Sequence, residues 1–184
     1  YVERIKGDNF MVSLGIDLSL TQTGYAVVSG NRNEGINVIH GIIKTNSKED
    51  DFQRIDEIVS EIMDIVVTAS PDIIVIEDTF CNVRNLKTSK RLIQLGSVVR
   101  FILYKTGTPY LDLSPASLKK YVTGKGNATK CEIVKSINDT LGVPPKITND
   151  NECDAIGLAF FGMKELLGAE NTIAEIVNQI QEIK

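Results

Sequence analysis

Two short aliphatic runs, each ending in a carboxylate, constrain this chain more than any other feature: Ser13-Leu14-Gly15-Ile16 before Asp17, and Ile73-Ile74-Val75-Ile76 before Glu77. Continuous apolar runs of this length read as strands covered on both faces. Between them, Asp51 to Ala69 places Phe52, Ile55, Ile58, Val59, Ile62, Met63 and Val66 at helical spacing, one buried stripe on an amphipathic helix. A helical crossover before the second run makes it most naturally parallel to the first. If the two strands are neighbours, Asp17 and Glu77 leave the sheet at the same edge.

The rest of the chain builds outward from that unit. Met11 to Ile16, Gly24 to Ser29 and Ile36 to Lys44 are separated by the turn formers Thr21-Gln22-Thr23 and Gly30 to Gly35, so three strands pair as an antiparallel meander. Pro71 stops the first helix. Ser89 to Tyr104 predicts a second helix, Pro109 to Leu113 a further strand, and Ser114-Pro115 the start of another helix. Thr123 to Asn127 is a loop by composition, Lys130 to Leu141 and Glu152 to Leu167 are helical segments around Pro144-Pro145, and Thr172 to Lys184 is an amphipathic terminal segment. The expected fold is α/β, a mixed five-stranded sheet with its first three strands antiparallel and helices packed on it, an order that resembles the RNase H-like arrangement. With 184 residues, one domain is expected, its core over about 11–168 and a terminal extension over 169–184.

Composition narrows the chemistry. The sole histidine, His40, removes mechanisms that need a histidine base or a histidine ligand cluster. Cys81, Cys131 and Cys153 fit neither a zinc site nor a disulfide framework and read as reduced packing residues. No apolar run approaches the ~20 residues of a membrane span, and a cytoplasmic protein with no membrane partner is expected. The formal charge is −4, yet eleven Lys and Arg stand against Asp112 and Glu132 between Arg84 and Lys135, a local charge of +9. Such asymmetry steers a polyanion to one face; a solvated helix face explains part of the same charge.

Carboxylates must then carry the reactivity. A third acid, Asp154, starts an apolar helix among the small residues Ala155, Gly157 and Ala159, which permit close packing on the sheet. Each acid alone reads more readily as a turn, strand-end or first-turn residue. Together they supply oxygen ligands on rigid elements, which metal-dependent phosphodiester cleavage needs to hold two divalent ions ~3.5–4 Å apart.

Gly15-Ile16-Asp17-Leu18-Ser19-Leu20-Thr21-Gln22-Thr23-Gly24-Tyr25 and Ile74-Val75-Ile76-Glu77-Asp78-Thr79-Phe80 resemble the first two motifs of the RuvC family of Holliday junction resolvases. Gln94-Leu95-Gly96, Ser114-Pro115, Val122 to Lys130 and Asp154-Ala155 are similar to later family segments in the same order, so the likeness runs from about Gly15 to Ala159. It implies an endonuclease that cuts four-way and branched DNA as a homodimer, with Asp17, Glu77 and Asp154 around Mg²⁺, for which Mn²⁺ substitutes. It implies lysines near the scissile phosphate at Lys119 and Lys130, and an aromatic wedge at Phe80. Arg84, Lys87, Lys120 and Lys125 are expected to contact DNA. A glycine-bearing loop can approach a phosphate closely, and an exposed aromatic beside bases can stack on an unpaired base. The helix Ser89 to Tyr104 is the expected dimer interface, because two-fold DNA suits a two-fold protein. A branch-migration helicase as partner is unknown.

The pattern departs from the family at one metal position, where Asn151 stands one helical turn before Asp154. Asp150 could substitute there if the helix began irregularly. The segment from Phe80 to Gly96 is longer than in typical bacterial members, the tail after Gly168 has no counterpart, and a divergent phage-encoded member fits both. Rival readings are a junction-binding protein with weak or no catalysis, another RNase H-like nuclease acting on RNA or in transposition, and an actin-like ATPase. The last needs two copies of the fold and a second phosphate turn that this sequence lacks.

Overall fold

The computed structural model describes residues 10–31, 35–78, 86–142, 147–168 and 172–181. In chain order the elements are β1 (Met11–Asp17), β2 (Gln22–Asn31), β3 (Gly35–Lys44), α1 (Asp51–Ala69), β4 (Ile73–Glu77), α2 (Leu86–Thr106), β5 (Tyr110–Leu113), α3 (Pro115–Thr123), α4 (Lys130–Leu141), α5 (Asp150–Leu167) and α6 (Ile173–Gln181). The strands form one sheet in the order β3-β2-β1-β4-β5. β1 is antiparallel to β2 and parallel to β4. β2 is antiparallel to β3, and β4 is parallel to β5. The meander and both crossovers stand where the hydrophobic pattern places them.

Side-chain alternation along β1 divides the interior. Val12, Leu14 and Ile16 join Ile74 and Ile76 of β4 beneath α1 and α2, in a core with Ile58, Ile62, Leu95, Val99 and Leu103. The opposite parity, which includes Ser13, Gly15 and Asp17 on β1 and Val75 and Glu77 on β4, faces α5. Val75 packs there with Ala155, Leu158, Ala159 and Phe160. Period-two geometry therefore turns both strand-end acids toward the same helix.

Local chemistry sets the element ends. Asp50 caps α1 in a capping box with Gln53, Ser114 caps α3 ahead of Pro115, Thr129 caps α4 in a box with Glu132, and Asn149 caps α5. α2 begins at Leu86, three residues before the predicted start. Its first buried side chain is Ser89, so the exposed residues ahead of it add no periodic signal. α5 begins at Asp150, two residues earlier than the apolar pattern indicates, because its cap lies at Asn149. The terminal segment is helical, and Ile173 and Ile176 of α6 are buried in the core beside α5. Among the described residues no helix is long and apolar enough to cross a membrane.

Among the described residues two cysteines are free: Cys153 is buried as a packing residue, whereas Cys131 is exposed and corrects the packing assignment. Cys81 and the Pro144-Pro145 connection lie outside the described residues.

Candidate active site

The β1–β4 register pairs Ser13 with Ile73 and Ile16 with Ile76, so Asp17 and Glu77 stand side by side one step further on. Their side chains are hydrogen-bonded to each other. Asp154 comes to them from α5, and close approach of backbone brings it there. A Cβ on Gly15 would lie 2.1 Å from the Ala155 carbonyl oxygen and 2.4 Å from the Ala159 nitrogen. A Cβ on Gly24, the cross-strand partner of Asp17, would lie 2.1 Å from the Asn151 carbonyl oxygen. Only glycine at these two places lets the first two turns of α5 rest on the ends of β1 and β2. The turn between the strands is fixed separately, by the Thr23 hydroxyl donating to the Ser19 carbonyl at 2.6 Å. That work falls to Ser19 and Thr23, so a turn-capping role does not account for Asp17.

The electrostatics are those of acids crowded out of water. Burial, with the charges of Glu77 and Asp154, pushes the Asp17 carboxyl well above the usual range. Burial and Asp154 raise Glu77 to about 7. Burial raises Asp154 to about 6, opposed by Lys130 and Lys119. Asp154 Oδ1 is buried with no hydrogen-bond partner, an uncommon state for a native polar atom. An orphaned carboxylate oxygen beside two crowded acids suits a hard, oxygen-seeking cation. Among the described residues, however, no three Asp, Glu, His or Cys side chains are already drawn into a ready ligand cage. The acids are neighbours, and their side chains must adjust to clasp an ion together.

Asn151 lies over Gly24 with its amide fixed, its Nδ2 donating to the Gln22 carbonyl at 2.6 Å. Asn149 Nδ2 donates to Gln22 Oε1 at 2.9 Å. The side-chain oxygen of Asn151 is the end left over from this tie, a neutral donor where the sequence pattern raised the question of a ligand. Asp150 does not substitute for it: the start of α5 is regular, and the Asp150 carboxylate is ion-paired with Lys130. Glu152 contacts His40 Nδ1 of β3 at 2.5 Å, a second tie between the sheet and this end of α5. Sequence spacing did not reveal Gln22 as an anchor, since its partners lie well over a hundred residues away.

The basic residues divide. Lys119 is half-buried and its charge is felt by Glu77 and Asp154, while Lys130 is felt by all three acids. Lys87 and Lys120 are exposed. Lys87 lies in the first turn of α2. Lys125 is exposed and faces Glu132 at 3.5 Å. Arg91 pairs with Asp51 at 2.6 Å and Arg100 with Asp112 at 2.6 Å. Asp112 and Glu132 are already counted in the local charge of +9, so of these pairs only Arg91 with Asp51 lowers it further. Phe80 and Arg84 lie outside the described residues.

A mixed sheet in this order, helices on both faces and acids at the ends of its two central parallel strands define an RNase H-like protein. The chain matches the family model "Crossover junction endodeoxyribonuclease RuvC" over residues 13–161. It is 33% identical to the crossover junction endodeoxyribonuclease RuvC of Rickettsia prowazekii over 150 residues, 82% of this chain and 95% of that protein. It is 35% identical to the enzyme of that name from Rickettsia akari over 153 residues, 82% and 95% of the two chains. Among solved structures, Thermus thermophilus RuvC superposes with a TM-score of 0.72 at 22% identity, covering 86% of this chain and 97% of that one. The structure of that protein in complex with Holliday junction substrate gives 0.70 at 21% identity, covering 86% and 96%. The chain belongs to the RuvC family.

Proposed function

We propose that this chain is a structure-selective endonuclease that resolves Holliday junctions and related branched DNA through paired metal-dependent nicks. The observation that carries the reading is the convergence of Asp17, Glu77 and Asp154 on one face of the sheet, in a chain of the RuvC family. Those three carboxylates, with the Asn151 carbonyl, would hold Mg²⁺, and Mn²⁺ in its place. A divalent ion there supplies Lewis acidity toward a phosphate oxygen and makes water a competent nucleophile near neutral pH. The chain's own part is to fix the carboxylates on β1, β4 and α5. Lys119 and Lys130 are assigned to the charge of the scissile phosphate, and Lys87, Lys120 and Lys125, with Phe80 and Arg84, to the flanking DNA. In-line attack would leave 5′-phosphate and 3′-hydroxyl ends. Nicked products that DNA ligase reseals without prior treatment are the expected outcome, and products needing a kinase or phosphatase first would contradict it.

A homodimer is the second part of the reading. Leu86, Ile93, Phe101 and Tyr104 fall on one side of α2 and are 63%, 43%, 62% and 74% exposed, an apolar stripe of the kind that marks an association surface. Two copies meeting across α2 would present two sites to two strands of like polarity. Sedimentation at micromolar concentration is expected to give a dimer, and Phe101→Asp a folded monomer with unchanged far-ultraviolet dichroism. A dimer that survives Phe101→Asp would move the interface elsewhere. Action in the cytoplasm of a bacterial or phage-infected cell belongs to the same proposal.

A second reading is favoured by Asn151 alone: a junction-binding protein of weak activity, because a neutral ligand leaves the site one charge short. It predicts tight junction binding with little cutting, and restoration of cutting by Asn151→Asp.

A further inference from the structure

At the rim of the carboxylate cluster two helix N-termini meet. Lys130 is the first residue of α4 and Asp150 the first of α5. Their side chains form an ion pair, with Lys130 Nζ donating to Asp150 Oδ2. A cation at the first position of a helix is opposed by the helix dipole, whereas an anion there is favoured, so Lys130 needs a reason for its place and Asp150 does not. The pair is well exposed, the side chains keeping 69% and 38% of their accessible surface, and an exposed pair of this kind contributes little to stability. Fold maintenance therefore does not explain it.

The mounting on both sides is rigid. Asp150 lies between Asn149 and Asn151, whose amides both donate to Gln22 on β2, at 2.9 and 2.6 Å. Lys130 follows Thr129, whose backbone nitrogen donates to Glu132 at 2.8 Å in the α4 capping box. The carboxylate is thus a fixed post on the sheet, and the ammonium at the end of its flexible stem is the movable member. From this position the lysine charge reaches Asp17, Glu77 and Asp154 without being buried among them.

We propose that Asp150 is a positioning residue for Lys130: it holds the ammonium at the mouth of the carboxylate cluster, where an arriving phosphodiester meets it, and keeps it from folding onto the acids as an internal counter-ion. A lysine collapsed onto Asp154 or Glu77 would compete with a divalent ion for the same oxygens and be absent from the phosphate. Asp150 touches neither substrate nor metal in this account. It acts through Lys130, and the inference rests on the nuclease reading above.

The test is a double-substitution cycle on the full chain, with four-way junction and saturating Mg²⁺, comparing Asp150→Asn, Lys130→Gln and the two combined. Asp150→Asn is expected to slow cutting about tenfold at saturating junction while junction affinity, measured with Ca²⁺, changes less than twofold. The Mg²⁺ concentration for half-maximal rate should rise severalfold. In a Lys130→Gln background the further loss of Asp150 should cost nothing, and Asp150→Glu should restore most of the rate. Multiplicative effects of the two single changes, or an Asp150→Asn protein as fast as the parent while Lys130→Gln is slow, would overturn the positioning role alone. An unaltered protein that does not cut, or a Lys130→Gln protein with full activity, would overturn the nuclease reading or the lysine assignment, and this inference with it.

Discussion

Replacing Glu77 with Gln is expected to abolish junction cutting and, at the same time, to make the metal-free protein more stable at pH 8. On the proposed nuclease reading, the loss of activity follows from removing one of three carboxylates that would hold a divalent ion, which is worth several kcal/mol to such a transition state. At ~1.4 kcal/mol per tenfold, a fall on the order of 10³-fold is expected. The gain in stability has the opposite origin. Folded, Glu77 keeps its proton up to about 7, whereas its ordinary value is 4.5; the folded state therefore holds more protons than the unfolded chain across that interval. Stability is lost as pH rises from the lower value through the higher one. Gln removes the burden of a buried charge, and the cost avoided is on the order of 2–3 kcal/mol, equivalent to a melting temperature roughly 5 °C higher. Below pH 4, where both states are protonated, the gain should vanish. Thermal melts at pH 4 and pH 8 without divalent ions check both halves. A variant less stable at pH 8 would mean that Glu77 is held by favourable interactions, and that the acids are not crowded together as described.

The second large effect concerns Gly24. A Cβ there would stand 2.1 Å from the Asn151 carbonyl oxygen and 2.5 Å from its carbonyl carbon, and both obstacles are backbone. Neither β2 nor the start of α5 can yield without breaking the Gln22 ties, so Gly24→Ala must lift the first turn of α5. Overpacking of this kind costs about 3 kcal/mol, a melting temperature lower by roughly 5–10 °C. Because Asn151 rides on that turn and Asp154 follows directly after it, a displacement near 1 Å should also cost about 10²-fold in cutting rate. Gly126→Ala is the comparison, since a Cβ there meets only the Ala116 carbonyl oxygen at 3.5 Å, an ordinary contact. Equal tolerance of the two substitutions would remove the argument that close backbone approach builds the site.

Residues joined by local periodicity were legible in the sequence, and residues joined only by packing were not. α1 runs from Asp51 to Ala69 as its apolar spacing predicts, because the buried stripe and the Asp50–Gln53 capping box agree. The shared edge of Asp17 and Glu77 was legible on the condition that their two strands be neighbours, which the β1–β4 pairing meets. In contrast, nothing local marks Gly24 as the seat of Asn151, or Gln22 as its anchor, since those contacts join β2 to α5 across most of the chain. The pairing of Lys130 with Asp150 was equally hidden, because a charge count treats every lysine as free. The same blindness overstated the basic field, because Arg91 and Lys130 have partners, Asp51 and Asp150, outside the counted segment. The irregular helix start that would have turned Asp150 inward is replaced by a regular one, because Asn149 supplies the cap.

The measurement that bears most directly on the whole account is cleavage of a synthetic four-way junction, with both continuous strands end-labelled, beside a linear duplex of the same sequence. With Mg²⁺ or Mn²⁺, the account predicts two nicks at symmetry-related positions on strands of like polarity, no cutting of the duplex, and loss of both nicks in Asp17→Asn and Glu77→Gln. Tight junction binding without nicks under any divalent ion, or nicks that persist in both variants, would contradict the assignment of Asp17, Glu77 and Asp154 as a metal-binding nuclease centre.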